Sequence, residues 1–186
     1  MTNDQTRVCP VENAGALDNA LRRLLQNPTK ILRPYVREGM TAMDVGCGPG
    51  FFTIPMAQLV GPAGRVMAVD LQEGMLAKIR RKIAGTPLEP RVVLHRCETD
   101  RIGVQEAVDF ALLFYMVHEL PDPDRFFREL AGIVRPGGRV LVVEPPFHVS
   151  PSAFAVSVGR AESAGFTRTG GPSVFLSKTA ILEKRP

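Results

Sequence analysis

The chain has 186 residues, of which 45% are hydrophobic and 23% are charged, and its formal net charge is +4. This length and balance predict one compact globular domain, and the longest apolar run, 110–117, is too short to span a bilayer. Three cysteines at unrelated spacings exclude a disulfide framework and a cysteine-based zinc motif. The polar first residues lack an apolar signal core, so we expect a cytoplasmic protein.

The positive charge is not in itself a signal for nucleic-acid binding, because the basic residues are scattered along the chain. The densest run, 78–82, falls on a predicted helix whose apolar face holds Met75, Leu76, Ile79 and Ile83. We therefore interpret its charges as a solvated outer face.

The predicted elements alternate along most of the chain. Apolar residues recur at helical spacing through residues 14–26, and residues 29–36 predict a second, shorter helix. Strands and helices then follow in turn. The predicted strands are 41–45, 65–70, 91–96, 107–114 and 139–144, with two more in the tail 167–184, and the predicted helices are 51–60, 73–84, 123–134 and 150–165.

Local signals set several boundaries of these elements. Thr53 is predicted to cap the helix after the first strand, Asp122 the helix after the fourth, and Ser150 or Ser152 the last helix. Residues 136–138, Pro-Gly-Gly, predict a turn before the fifth strand. The alternation of strands and helices predicts an α/β fold, with a parallel sheet covered by helices on both faces.

A glycine-rich turn joins the first predicted strand to the helix that follows it. Residues 44–50 read Asp-Val-Gly-Cys-Gly-Pro-Gly. Because glycine has no Cβ, the backbone amides of such a turn can approach a ligand closely. Asp70 ends the second strand twenty residues beyond Gly50, where a carboxylate is placed to hydrogen-bond a ribose. Together, the turn and Asp70 predict a nucleoside cofactor.

Details of the turn indicate which cofactor this is. A dinucleotide-binding turn needs a glycine where Phe51 stands, and a phosphate-binding loop needs a Gly-Lys-Ser/Thr sequence that is absent. The carboxylate of Asp44 would repel a pyrophosphate but attract an ammonium or sulfonium group. The stretch 44–50 resembles motif I, D-x-G-x-G-x-G, of the class I S-adenosylmethionine (SAM) dependent methyltransferases.

This resemblance covers residues 37–184 and implies a more specific fold. It implies a Rossmann-like, doubly wound, mostly parallel sheet of seven strands, which ends in a C-terminal antiparallel hairpin. We therefore interpret residues 37–186 as the SAM-binding methyltransferase domain and residues 1–36 as an N-terminal helical lid.

The resemblance also implies that SAM is the cofactor and S-adenosylhomocysteine the product. It places Asp44 at the ammonium group, Asp70 at the ribose hydroxyls and Leu71 against the adenine. Many family members accept a hydrogen bond from adenine with an acidic residue where this chain has Cys97, next to Glu98. The other predicted cofactor contacts are Gly46, Cys47, Gly48, Gly50 and Tyr115.

The His-containing segment 114–122 resembles that of the small-molecule methyltransferases of ubiquinone and menaquinone synthesis. This resemblance places a small-molecule acceptor beyond the fourth and fifth strands. His118 and Glu144 are candidate general bases, and Tyr115, His118, Phe147 and His148 are candidate acceptor contacts. The implied reaction is an in-line displacement, which needs a base only if the acceptor atom starts protonated and needs no metal.

Other interpretations stay open at this point. An RNA methyltransferase would show a basic stripe beside the pocket, formed by Arg22, Arg23, Lys30 and Arg33. A SAM-binding module without catalysis would have a pocket closed to acceptors. A dinucleotide oxidoreductase is disfavoured by Phe51 and Asp44, and arsenic methylation would require Cys9 and Cys97 to approach each other.

Overall fold

The fold was examined in a computed structural model, which describes residues 26–186. Within this range seven strands form one sheet in the order β3-β2-β1-β4-β5-β7-β6. Strands β1 to β5 are parallel, β7 is antiparallel to β5, and β6 is antiparallel to β7. The strands are β1 Thr41–Val45, β2 Arg65–Asp70, β3 Val92–Arg96, β4 Val108–Phe114, β5 Val134–Glu144, β6 Phe166–Gly170 and β7 Lys178–Lys184.

Helices cover both faces of this sheet, because alternate strand residues face opposite ways. In β1, Ala42 belongs to a core that includes Met56 and Ile79, whereas Met43 belongs to a second core that includes Leu130. The fold class inferred from the sequence is therefore confirmed. The helices are α1 Pro28–Leu32, α2 Thr53–Leu59, α3 Glu73–Ile83, α4 Pro123–Ile133 and α5 Pro151–Ser163, with 3₁₀ turns at Glu89–Arg91 and Val117–Glu119.

Most predicted boundaries agree with the structure to within a few residues, and two of the predicted caps are confirmed. The side chain of Asp122 accepts a hydrogen bond from the backbone N–H of Arg125 at 2.9 Å, and Ser150 accepts one from Ala153 at 3.1 Å. Both arrangements satisfy a donor that the first helical turn leaves free. Local sequence signals are thus sufficient to start α4 and α5.

The predicted cap at Thr53 is wrong. Phe52 occupies the N-cap position of α2 and makes no side-chain cap hydrogen bond, and Thr53 is the first residue of the helix. The hydroxyl of Thr53 is fully buried and donates instead to Asp44 Oδ2 at 2.6 Å. Thr53 therefore lies one position past the N-cap, and its hydroxyl anchors the buried carboxylate of Asp44 instead.

The turn predicted at residues 136–138 lies inside β5 and does not precede it. Val134 pairs with Val108, and Arg139 pairs with Phe110, so more residues of β5 than of β4 fall between the two pairs. Gly137 has a φ of 75°, a left-handed conformation that glycine adopts without strain. The Pro-Gly-Gly sequence therefore forms a bulge within a strand.

The N-terminal predictions are only partly within the described residues. The helix predicted at 14–26 and most of the lid predicted at 1–36 lie outside them. The second predicted helix, 29–36, is shorter in the structure and spans Pro28–Leu32. None of the helices in the described range is both long and apolar enough to cross a membrane.

Candidate functional site

A cavity of about 620 Å³ opens where the carboxyl ends of β1, β2 and β4 meet. Val45, Asp70 and Phe114, the last residues of these strands, all line it. In open parallel sheets this edge, next to the point where the strand order reverses, is where ligands bind. The volume lies within the range of about 300–1,000 Å³ that is typical of small-ligand sites.

Asp70 connects the second strand to the glycine turn. Its carboxylate is buried and accepts hydrogen bonds from the backbone N–H groups of Gly48 and Gln72, both at 2.9 Å. Burial raises the pKa of Asp70, and these backbone N–H groups oppose the shift. Each oxygen has further lone pairs, so the carboxylate can hold the turn in place and still accept two ligand hydroxyls.

Asp44 lies at the base of the same cavity. It is only 2% exposed, lines the cavity, and accepts the hydroxyl of Thr53. The hydrogen bond fixes the side chain and stabilises its negative charge in a poorly solvated position. A cationic ligand group in the cavity would be attracted to this charge.

The three glycines of the turn have different environments. Gly46, Gly48 and Gly50 all have positive φ, at 69°, 53° and 90°. A Cβ at Gly46 would lie 3.2 Å from the Met116 Cβ, and one at Gly50 would lie 3.0 Å from Ile79 Cγ1. A Cβ at Gly48 would meet nothing within 4 Å, and Gly48 lines the cavity, whereas Gly50 is not part of the lining. Gly48 therefore leaves space that a ligand can use.

Two thiols line the cavity beside these groups. Burial raises the pKa of Cys97 to about 11 and that of Cys47 well above its usual range. A raised pKa favours the protonated thiol over the thiolate near neutral pH. Cys9 lies outside the described residues. Leu71 and Glu98 also line the cavity.

The two residues predicted as general bases contact each other below the cavity wall. Glu144 is 1% exposed, and its carboxylate accepts the backbone N–H of Val117 at 2.9 Å and the Nδ1–H of His118 at 2.5 Å. The hydrogen bond to Glu144 raises the pKa of His118, against the effect of burial. The ring of His148 lies parallel to that of His118, with the centroids 6.4 Å apart.

The structure divides the residues predicted for acceptor binding and for catalysis into two groups. Tyr115 and Phe147 line the cavity, whereas His118, Glu144 and His148 do not. Both oxygens of Glu144 hold the 3₁₀ turn Val117–Glu119 against the end of β5. His118 and Glu144 thus bond to each other, and neither is part of the cavity lining.

Glu119 is a cavity residue that the sequence analysis did not select. It lines the cavity at the end of the 3₁₀ turn. Burial raises the pKa of Glu119, His118 opposes the shift, and the carboxylates of Glu144 and Asp70 add to it. The sequence signal that could have identified Glu119 is its position directly after His118. Sequence alone, however, does not show which of the two side chains faces the cavity.

The fold and the site define a class I SAM-dependent methyltransferase, and comparisons with known proteins agree. A sequence model described as a methyltransferase domain matches residues 42–138, which is more than half of the chain, so the chain belongs to this family. A SAM-dependent methyltransferase from Aquifex aeolicus has the same fold, with a TM-score of 0.81 and 26% identity over 94% of this chain and 98% of that one. SAM is the cofactor that the family and this structure imply.

Sequence relatives carry more specific names. A demethylmenaquinone methyltransferase of Halalkalibacterium halodurans is 32% identical over 112 residues, which are 60% of this chain and 46% of the relative. The same enzyme of Bacillus cytotoxicus is 31% identical over 59% of this chain and 46% of the relative. The matched region is thus less than half the length of these relatives. A [4+2]-cyclase, SpnF, shares the fold alone, with a TM-score of 0.70 and 16% identity.

Proposed function

We propose that this protein transfers the methyl group of SAM to a small, largely apolar acceptor. The observation that carries the proposal is one cavity that combines the cofactor-type groups, Asp44, Gly48 and Asp70, with an apolar rim that includes Phe126 and Phe147. A cavity of this composition has room for an acceptor beside the cofactor. It therefore supports catalysis over a binding module that is closed to acceptors.

The described residues fit SAM. Asp44 places a carboxylate where a ligand with ammonium and sulfonium groups gains electrostatic attraction. The open space at Gly48 lets the backbone contact the ligand closely. Asp70 is already fixed by two backbone N–H groups, so binding two ribose hydroxyls needs little reordering of the side chain.

The chain contributes mainly alignment and exclusion of water. Bound SAM supplies a methyl group on a positively charged sulfur, which leaves as a neutral thioether. The apolar walls limit water, and the fixed turn 44–50 holds the ligand in one orientation. Because Glu119 faces the cavity, its carboxylate can accept a proton from an O–H or N–H acceptor. We propose that His118 and Glu144 act by positioning Glu119.

The charge of the cavity favours a neutral or cationic acceptor over RNA. Among the described lining residues, the carboxylates outnumber the single basic side chain, Arg101. A polyanion would be repelled by this wall. The lining carboxylates are Asp44, Asp70, Glu98, Asp100, Glu119 and Asp122.

Relatives named demethylmenaquinone methyltransferases make an aromatic acceptor the first choice for assay. The test is incubation with methyl-labelled SAM and a panel of naphthoquinols, phenols, small thiols and bulk RNA. We expect label in a small apolar acceptor and none in RNA. Label in RNA alone, or SAM binding without transfer to any compound of the panel, would contradict the proposal.

A further inference from the structure

Tyr115 has an unusual backbone conformation at the end of β4. Its φ is 61°, in the left-handed region that aromatic residues rarely adopt, and only one other non-glycine residue of the described range has a positive φ. Its backbone N–H still donates to Val143 at 2.8 Å, so the chain leaves the sheet only after this residue. Strain of this kind persists where the surrounding contacts over-determine it.

The hydroxyl of Tyr115 bonds to two segments that are distant in sequence. The side-chain amide of Gln26, just before α1, lies 2.6 Å from the hydroxyl oxygen. Ser177 Oγ, in the loop between β6 and β7, also lies 2.6 Å from it. Gln26, Tyr115 and Phe175, a neighbour of Ser177 in that loop, all line the cavity.

These hydrogen bonds continue into the β6–β7 loop. Either hydroxyl can donate in the bond between Tyr115 and Ser177, and the Ser177 hydroxyl also lies 3.1 Å from the carbonyl oxygen of Phe175, which can accept its hydrogen. The tyrosine oxygen in turn accepts the Gln26 N–H. One chain of hydrogen bonds therefore runs from Gln26 through Tyr115 and Ser177 to the Phe175 backbone. Within such a chain, each hydrogen bond polarises the next one and strengthens it.

The ring of Tyr115 is fixed from the other side. Its centroid lies 4.4 Å from that of Phe114, which in turn lies 4.3 Å from that of Phe52 in the glycine turn region. Contacts of the backbone, the ring and the hydroxyl thus hold the Tyr115 side chain in one conformation. The loop that it holds is tightened by a Ser177 N–H to Val174 hydrogen bond of 2.7 Å.

We infer that Tyr115 is a positioning residue that fastens the segment at Gln26 and the β6–β7 loop to the end of β4, so that together they form one wall of the cofactor cavity. The identity of the ligand behind this wall rests on the proposed function, but the wall itself does not. Removing the hydroxyl interrupts this chain of hydrogen bonds at its centre, between the segment at Gln26 and the β6–β7 loop.

The test compares Tyr115→Phe with Tyr35→Phe, which changes the only other tyrosine of the chain. Hydrogen exchange of the ligand-free proteins is followed in peptides that span residues 26–30 and 173–178. Loss of hydrogen bonds of ordinary net strength predicts exchange that is about fivefold to tenfold faster in both peptides of Tyr115→Phe. In Tyr35→Phe both peptides should exchange as in the wild type.

Two further variants distinguish fastening from a general loss of stability. Gln26→Leu should speed exchange at 173–178 in the wild-type background and have no further effect there in Tyr115→Phe, because the chain is already broken. Ser177→Ala should free the loop 173–178 more than residues 26–30, and it serves if Tyr115→Phe does not fold. Unchanged exchange in either peptide of Tyr115→Phe, or additive effects in the double variant, would overturn the inference.

Ligand binding provides the second readout. Calorimetric titration with SAM should show a dissociation constant about threefold to tenfold higher for Tyr115→Phe than for Tyr35→Phe, as expected when binding must re-form the wall. Equal dissociation constants would show that the wall has no part in binding. A wild-type protein that binds no SAM would reject the proposed function, and the exchange result would still decide the role of Tyr115.

Discussion

Four carboxylates at or near the site, those of Asp44, Asp70, Glu119 and Glu144, have the same chemistry but different surroundings. Asp44 and Asp70 are buried and held by a hydroxyl and by backbone N–H groups, respectively, at the cavity wall. Glu144 is equally buried, but both of its carboxylate oxygens form hydrogen bonds with the turn after β4. Glu119, on that turn, faces the cavity. Burial and hydrogen-bond partners therefore distinguish side chains that carry the same functional group.

Gly48 offers a matched test of how the turn binds its ligand. Gly48→Ala places a methyl group in open cavity space at a φ of 53°, and Gly85→Ala does the same at a φ of 70° on the surface, away from the cavity. Both variants should lose about 1–2 kcal/mol of unfolding free energy, because the left-handed conformation strains alanine. Gly48→Ala alone should also weaken SAM binding, by about tenfold or more.

Urea unfolding and calorimetric titration of the two variants check this prediction. Equal SAM affinity in Gly48→Ala and Gly85→Ala would mean that the ligand does not approach the turn.

His118 predicts a pH dependence of stability. Its hydrogen bond to Glu144 raises its pKa in the folded protein above the unfolded value of about 6.5. The contribution of the protonated ring is therefore complete below about pH 6.5 and is lost as the pH rises through the folded pKa. The free energy of unfolding should fall over this interval more in the wild type than in His118→Gln. Urea titrations at pH 6.0 and 8.5 measure the free energy of unfolding of both proteins. An equal change with pH in the wild type and in His118→Gln would contradict the assignment of this dependence to His118.

The cavity is built at the scale of elements by the ends of parallel strands. Glu144, the last residue of β5, binds the 3₁₀ turn Val117–Glu119 that follows β4, so two strand ends become one rigid edge. The turn then presents Glu119 toward the cavity. The position of Glu119 is thus set by hydrogen bonds between the end of β5 and the turn that follows β4.

Glu144→Gln tests this arrangement, because an amide offers one acceptor oxygen where the carboxylate offers two. We expect a loss of about 1–3 kcal/mol of unfolding free energy, the usual cost when a buried group is left without its partner. Exchange at the Val117 amide should also become faster. Glu106→Gln is the control, since Glu106 forms an exposed ion pair with Arg65 and should change stability by less than about 1 kcal/mol. Equal stability of the two variants would refute the positioning role.

Elements were predictable where their causes are local. The helix caps at Asp122 and Ser150 depend on side chains within three residues, and the strands on runs of apolar residues. The predicted cap at Thr53 failed because the helix begins at Thr53 itself, with Phe52 at the N-cap, and the Thr53 hydroxyl donates to Asp44, a contact made by tertiary folding. The bulge at 136–138 similarly depends on how β5 pairs with β4, which no local signal contains.

At the scale of the whole molecule, the part of the cavity formed by the glycine turn and Asp70 could be predicted from the sequence. The wall formed by Gln26, Tyr115 and the β6–β7 loop could not. Asp44, the glycines and Asp70 have a fixed spacing that a nucleoside cofactor requires. The chain from Gln26 through Tyr115 to Ser177 joins segments separated by 89 and 62 residues. Which of His118 and Glu119 faces the cavity also depends on the fold, because adjacent residues point in different directions.

The most direct test of the account is calorimetric titration with SAM, S-adenosylhomocysteine and NAD of the wild type, Asp70→Asn and Asp124→Asn. Asp124 is an exposed carboxylate on α4 that pairs with Arg160, so its variant is a control for the charge change. We predict that the wild type and Asp124→Asn bind SAM and not NAD, and that Asp70→Asn binds SAM about 10- to 100-fold more weakly, the cost of a charged hydrogen-bond acceptor. Binding of NAD without SAM, or SAM binding that is unchanged in Asp70→Asn, would contradict the assignment of this cavity as a SAM site.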